Sequence, residues 1–316
     1  MEIVNDELTS KGNRPKRHIV RKSILRREYI EGYIFTLPAI LFISVFILIP
    51  VFYGLYLSMT NWDGYSPAVF IGIKNYINLF KTDDIFRKDI FNNVKFAIAV
   101  VTGKNILGLL LALLANMKLR GVTFFRTVLF LPVTMSFVAI GILWAWIYNP
   151  QFGLISSGLH LLGLDQFNKP WLGLESTALW AIVVVDIWKW TGFHMVLYLA
   201  GLQGIPIDLY EAAMVDGALS FDKFRYITLP LLAPIVFINI LMSLSGAFVT
   251  NFDLVWVMTG GGPNHASEVV LTRMVLEAFQ YGRLGYSSAM GYVLFIIVGI
   301  ISFFYIRMAR SGNANQ

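Results

Sequence analysis

The chain has 316 residues, 57% of them hydrophobic and only 14% charged, against about 25% charged in an average soluble domain. That balance excludes an ordinary soluble protein and indicates an integral membrane protein. The net charge of +6 does not point to nucleic acid, because the Lys and Arg are spread between apolar blocks, and the lack of any Cys excludes disulfides and thiolate chemistry.

Residues 1–28 form a basic segment, with Arg14, Lys16, Arg17, Arg21, Lys22, Arg26 and Arg27 just ahead of the first apolar run. Such a segment meets anionic lipid or sets topology. A helix that crosses a bilayer needs roughly 20 apolar residues. Six segments qualify: 31–58, 91–116, 123–148, 176–202, 234–258 and 286–308. The first is too long for a signal-peptide core and lacks a small-residue cleavage site, so it is read as a retained span, with Pro38 and Pro50 as expected bends. Residues 60–90, with Trp62, Gly64, Pro67 and a cluster of charges, read as an external loop. The domain reading is therefore a basic segment 1–28, a first helix and external loop 29–90, a five-helix core 91–308 carrying a loop at 203–233, and a tail 309–316. With the N-terminus inside, fifteen Lys and Arg fall on the inner side and seven on the outer. This asymmetry predicts that both termini, and the 203–233 loop, are cytoplasmic.

Catalytic signatures are missing from the chain. There is no phosphate-binding loop, since Gly103-Lys104 is followed by Asn105 in an apolar span. Gly260-Gly261-Gly262-Pro263 does not join a strand to a helix. The four His are scattered without metal-ligand spacing, and no nucleophile elbow is present. No cofactor or metal site is expected in this chain.

The 203–233 loop contains the passage EAAMVDGALSFDKFRYITLP, from Glu211 to Pro230. Pro206 and Asp208 suit a helix start with an acidic first turn. Gly217 interrupts, Ser220 is placed to cap a second short helix, and Leu229-Pro230 is expected to end that helix before the fifth span. Two readings stand side by side: a solvated helical hairpin, or a docking knob for a soluble partner, in which Ala212 and Ala213 permit close approach and Glu211 offers an ion pair.

Glu211, Ala212, Ala213, Gly217, Ile227, Leu229 and Pro230 stand at spacings that resemble the EAA motif of permease subunits in bacterial ATP-binding-cassette (ABC) importers. Asn61-Trp62, Gly72 with Asn75-Tyr76, Phe124-Phe125-Arg126 with Leu131-Pro132, Ala200 to Pro206, and Thr259 to Pro263 are similar to the carbohydrate-uptake branch. Within it, the pattern resembles the maltose/glycerol-phosphate type first permease subunit. The resemblance implies an all-α membrane protein of six transmembrane helices with the type I importer permease fold, in a bacterial inner membrane. It further implies a second, non-identical permease, two cytoplasmic ATPase subunits that use ATP and Mg, and an extracellular or periplasmic solute-binding protein. In that picture Glu211 pairs with a basic group of the ATPase, Asp216 and Gly217 form the bend, and Ile227, Leu229 and Pro230 seat the second helix on the membrane.

Polar residues within spans are functional candidates because burial in lipid is costly. Asp186, Lys189, Trp190 and Phe193 share one face of the fourth span by i, i+3, i+4, i+7 spacing. There an ion pair beside aromatic rings would suit a sugar. Asn239, Ser243, Gly246, Thr250 and Asp253 form a stripe along the fifth span. The competing reading for both sets is helix–helix packing, where small and polar residues act as glue. Lys104 sits near mid-span, facing either a pore or a partner. Residues 267–281 place Leu271, Met274, Val275, Ala278 and Phe279 on one face, as expected of an amphipathic helix at the outer interface. The alternative function is a self-sufficient secondary transporter or channel, which gives no reason for the 203–233 loop.

Overall fold

In the computed structural model residues 35–117 and 120–313 are described; residues 1–34, Lys118, Leu119 and the last three residues lie outside the description, and with them the basic segment. Two compact units divide between Gly54 and Leu55. An apolar helix, Phe35–Ser58 (α1), opens the described chain. It contains a π-turn at Ser44–Leu48, closed by the Ile49 N–H on the Ser44 carbonyl, two residues ahead of Pro50.

The larger unit begins with a short antiparallel ribbon in which Thr60 pairs with Phe70 and Asn61 with Val69. The connection between them is held by Asp63, whose carboxylate accepts from the Tyr65 and Ser66 N–H groups. Those two donors pull its pKa down to about 2. Helix α2 (Lys74–Lys81) follows. Its Asn75 amide donates to the carbonyls of Ser58 and Thr60, both at 2.9 Å, so the 60–90 segment is tied to the end of α1.

Helix α3 (Asp84–Ala115) is capped by Asp83, which accepts the Phe86 N–H. Its 32 residues span roughly 48 Å, well beyond the ~30 Å hydrocarbon layer. The predicted second span is thus the later part of a longer helix with a polar start. Helices α4 (Val122–Thr134) and α5 (Phe137–Ile147) replace the single predicted third span; they are bent by 103°. The reason is local. Pro132 lacks a donor for the helix ladder, Met135 is extended, and Ser136 starts a new helix by accepting the Ala139 N–H. Helix α6 (Leu154–Leu161) lies in the connection to α7 (Ala178–Gln203), the most deeply buried helix of the fold.

Helix α7 packs along α3 and against α4. Small residues set these approaches. A Cβ on Gly108 would lie 2.8 Å from the His194 side chain, and one on Gly192 would lie 2.0 Å from the Leu129 carbonyl. Such contacts let backbones meet where no hydrophobic drive joins helices in lipid.

Helix α8 (Ile207–Val215) and a long helix α9 (Ser220–Val249) follow. The predicted stop at Leu229-Pro230 does not occur. A π-turn at Phe224–Thr228, closed by the Leu229 N–H on the Phe224 carbonyl, carries the helix across Pro230. The wider turn relieves the proline's clash and missing donor. The N-cap is Leu219 rather than Ser220, and Asp222 accepts the Leu219 N–H.

The predicted fifth span also ends early, at Val249; Phe252–Met258 forms a separate helix, α10. After it come α11 (Val270–Val275), a π-turn at Leu276–Gln280, and α12 (Leu284–Asn313). The predicted interfacial helix is oriented otherwise than its apolar face implied. Arg273 and Glu277 turn inward, Phe279 stays exposed, and Leu271, Met274, Val275 and Ala278 are half-buried. Glu277 forms ion pairs with Arg273 at 2.8 Å and Arg283 at 2.6 Å. Burial pushes the Glu277 carboxyl upward, and the two guanidinium groups offset part of that.

Candidate functional site: a charged interior and an exposed helical knob

Three charges lie at membrane depth, and each has a distinct environment. Asp186 pairs with Lys104 of α3 at 2.5 Å, with both side chains almost wholly buried. It does not pair with Lys189 on its own helix, as the i, i+3 spacing suggested. Lys104 therefore faces neither a pore nor a partner but the interior of its own chain. Lys189 turns instead to the break between α4 and α5. Its ammonium donates to the carbonyls of Pro132 at 3.1 Å, Val133 at 3.3 Å and Met135 at 2.6 Å. Those carbonyls lost helical partners where the backbone turns, and unpaired backbone at membrane depth is tolerated only when protein satisfies it. The same ammonium sits 4.6 Å from the Phe137 ring centroid and 5.6 Å from that of Trp190. Trp190 in turn packs on Phe137 and Phe193.

The stripe predicted on the fifth span is split. Asn239 and Ser243 are buried and face α7, whereas Gly246 and Thr250 are half-buried near the helix end and Asp253 belongs to α10. His194 Nδ1 lies 2.7 Å from Asn239 Oδ1, and Ser243 Oγ lies 3.3 Å from His194 Nε2. Asn105 donates to Ser243 at 2.9 Å, and the Tyr198 hydroxyl donates to Asn105 at 2.6 Å. This chain of hydrogen bonds joins α3, α7 and α9. It makes Asn239 and Ser243 packing residues within the fold. Trp190, Phe193, Gly246, Thr250 and Asp253 remain partly accessible.

Sequence reasoning missed Asn105, Tyr198 and Gly192. One signal was available for the charges: with two bases and one acid at membrane depth, a base had to find another partner. A second group, at the start of α3, was missed entirely. Asn92 donates to the carbonyls of His265 and Glu268, and Asn93 accepts the Val270 N–H. His265 contacts Glu268, and Tyr286 donates to Asp83. These bonds clamp the 259–283 segment onto the start of α3 and α12.

The knob formed by α8, Gly217 and the start of α9 keeps the bend expected at Gly217, but its second arm is the start of the long helix α9 rather than a separate short helix. Asp216 ends α8, and Gly217 takes a left-handed φ of +80° that a Cβ would disfavour. Glu211, Ala212, Asp216 and Gly217 are exposed, Ala213 and Ile227 are half-buried, and Leu229 and Pro230 are exposed on α9. Tyr210 and Thr228 share a hydrogen bond of 2.9 Å, which pins α8 to the π-turn. Met214, Val215, Leu219 and Phe221 stand exposed around the tip, with Val215 at 89%. This charged passage thus carries a cluster of exposed apolar side chains at its tip, on a helix long and apolar enough to cross a membrane. Among the described residues, no group of His, Asp and Glu is arranged to hold a metal ion.

Comparison with known proteins places these features in context. Residues 104–311 match the model of a family described as binding-protein-dependent transport system inner membrane component. A probable ABC transporter permease protein of Bacillus subtilis, YurN, is 40% identical over 92% of this chain and 99% of its own. The trehalose/maltose transport system permease protein MalF of Thermococcus litoralis is 36% identical over 90% of this chain and 95% of its own. The multiple sugar-binding transport system permease protein MsmF of Streptococcus mutans is 33% identical over 88% and 95%. The fold is similar to that of a chain in a bacterial ABC transporter involved in import of the acidic polysaccharide alginate, with a TM-score of 0.79 and 24% identity over 93% of this chain and 99% of that one. The match covers most of the chain, and the chain belongs to the family of binding-protein-dependent transport system inner membrane components.

Proposed function

We propose that this chain is a permease subunit of an ATP-driven importer that moves an oligosaccharide or related sugar into the cytoplasm. The observation that carries the reading is the knob itself. An EAA passage, bent at a left-handed Gly217 and tipped with exposed apolar side chains, continues without a break into a membrane helix. Such a lever transmits force from a soluble motor to the spans. The names of the relatives, which include trehalose/maltose and multiple sugar-binding systems, support the sugar class.

In this reading the termini and the knob are cytoplasmic, and the chain sits in a bacterial inner membrane. A second permease pairs with it, two ATPase subunits using ATP and Mg cover the knobs, and an external binding protein delivers the sugar. A solved complex of the alginate importer with its periplasmic protein supports the last of these. ATP-driven closure of the ATPases draws the knobs together and rocks the permeases between inward- and outward-facing states. Sugar hydroxyls meet Thr250 and Asp253, and C–H faces meet Trp190 and Phe193. The basic N-terminal segment meets membrane lipid.

Affinity purification of this chain from membranes tests the proposal. It is expected to bring down an ATPase with the wild-type chain, whereas Glu211→Ala weakens recovery of the ATPase and abolishes uptake. An intact chain that recovers no ATPase, with uptake unaffected by Glu211→Ala, would favour a self-sufficient transporter.

A further inference from the structure

The segment after α10 is held to the start of α3 by polar contacts from neighbouring turns of that helix. Lys88 donates to the Asn264 carbonyl at 2.7 Å, Asn92 donates to the carbonyls of His265 and Glu268, and Asn93 accepts the Val270 N–H. Asp89, Asn92 and Asn93 follow i, i+3, i+4 spacing, so Asp89 lies on the face that makes this contact. It stands ahead of the apolar stretch 91–116. The side chain is wholly buried, and neither carboxylate oxygen has a hydrogen-bond partner among the described residues.

The charges around Asp89 leave it uncompensated. Glu268, itself almost wholly buried, adds a second carboxylate, with Oε1 unpartnered and Oε2 on His265. Arg273 pairs with Glu277, which also takes Arg283. The Lys88 ammonium is held by Asn264, and Asp83, which accepts the Phe86 N–H and the Tyr286 hydroxyl, adds a further negative charge. A carboxyl buried in this way avoids the cost of an unpaired charge by staying neutral. Burial and the Glu268 charge push the Asp89 carboxyl up to about 8, and Arg273 pulls it partly back. Among the described residues no group of His, Asp and Glu is arranged to hold a metal ion, which leaves the proton as the cation that fits.

We propose that Asp89 is a proton-binding site that locks the 259–283 segment onto the start of α3. Protonated, it packs beside Glu268 without repulsion; ionised, it repels Glu268 and frees the segment. This goes beyond the importer reading and does not depend on it. The buried carboxyl keeps its proton above the ordinary value of 3.8, so between 3.8 and about 8 the closed contact binds more protons than the open one. The closed state therefore weakens as pH rises across that window, by up to about tenfold per unit, and levels off above it.

Hydrogen exchange of the full-length chain in lipid nanodiscs, between about pH 6 and about pH 9, tests this. After correction for intrinsic exchange, protection of the 264–275 amides is expected to fall steeply up to about pH 8 and then level off. With Asp89→Asn, which keeps the shape and cannot ionise, protection should stay level throughout. Histidine titrates in the same range, so His265→Gln is the control and should keep the slope. A slope that survives Asp89→Asn, a slope that vanishes with His265→Gln, or protection that instead requires added calcium at fixed pH would each overturn the proposal. Infrared spectra of the wild-type chain give an answer that needs no variant to fold. With carbon-13 in the aspartate carboxyls, a protonated-carboxyl band is expected to shift with the label and to disappear as pH rises through about 8. A chain without such a band would contradict a proton at this site.

Discussion

Lys189 shows how one side chain can make a broken span possible. Three carbonyls at the break cannot bond to water within the membrane, and an ammonium with three donors satisfies them together. Lys189→Met is expected to destabilise the folded chain by about 3 kcal/mol, the scale of hydrogen bonds to a charged group. Denaturant titration in detergent would measure it, and Lys189→Arg should recover part of the loss. The Lys104–Asp186 pair calls for a different experiment. Removing either partner strands a buried charge and costs about 3–5 kcal/mol, whereas replacing both with apolar residues costs far less. A double-mutant cycle of Lys104→Met and Asp186→Leu should therefore show strong coupling; additive losses would contradict the pairing. The presence of these charges was legible in the sequence, but their partners were not. Helical spacing shows only neighbours on one helix, so Asp186 was assigned to Lys189 when its true partner lies on α3.

At the scale of elements, hydropathy found the spans because apolar composition is what lipid demands. It could not find the breaks. A window average over 123–148 is the same whether Pro132 and Ser136 bend the chain by 103° or not, and only the pairing of a proline with a new N-cap carried that signal. The reverse error occurred at Pro230, where a π-turn keeps the helix intact. The same arrangement precedes Pro50, so a widened turn two residues ahead of a proline recurs in this chain. Gly217 was legible, since a tight reversal between charged helices favours a residue free to adopt positive φ. Gly217→Ala should cost about 1–2 kcal/mol locally, read as faster hydrogen exchange across α8, and should weaken ATPase recovery. Gly192→Ala places a methyl against the Leu129 backbone, and an overpacked contact of this kind costs typically 1–3 kcal/mol. A shift of α4 would follow, measured as lost thermal stability together with impaired uptake.

On the proposed function, the whole molecule is one component of a transport system whose motor is a separate subunit. No phosphate loop occurs in its sequence, and its charged 211–230 passage carries an exposed apolar tip. Buried polar links join the helices: Asn105, Tyr198, His194, Asn239 and Ser243 between α3, α7 and α9, and Asn92, Asn93, Arg273 and Glu277 around the start of α3 and the segment after α10. On the proposed function, bracing of this kind would let these helices move together when the knob is pulled. The most direct measurement is sugar uptake into proteoliposomes containing the purified complex, with and without ATP on the face that carries the knob. The account predicts accumulation only with ATP there, abolished by Glu211→Ala in a chain that still folds. Accumulation driven by an ion gradient without ATP, and indifferent to Glu211→Ala, would contradict it.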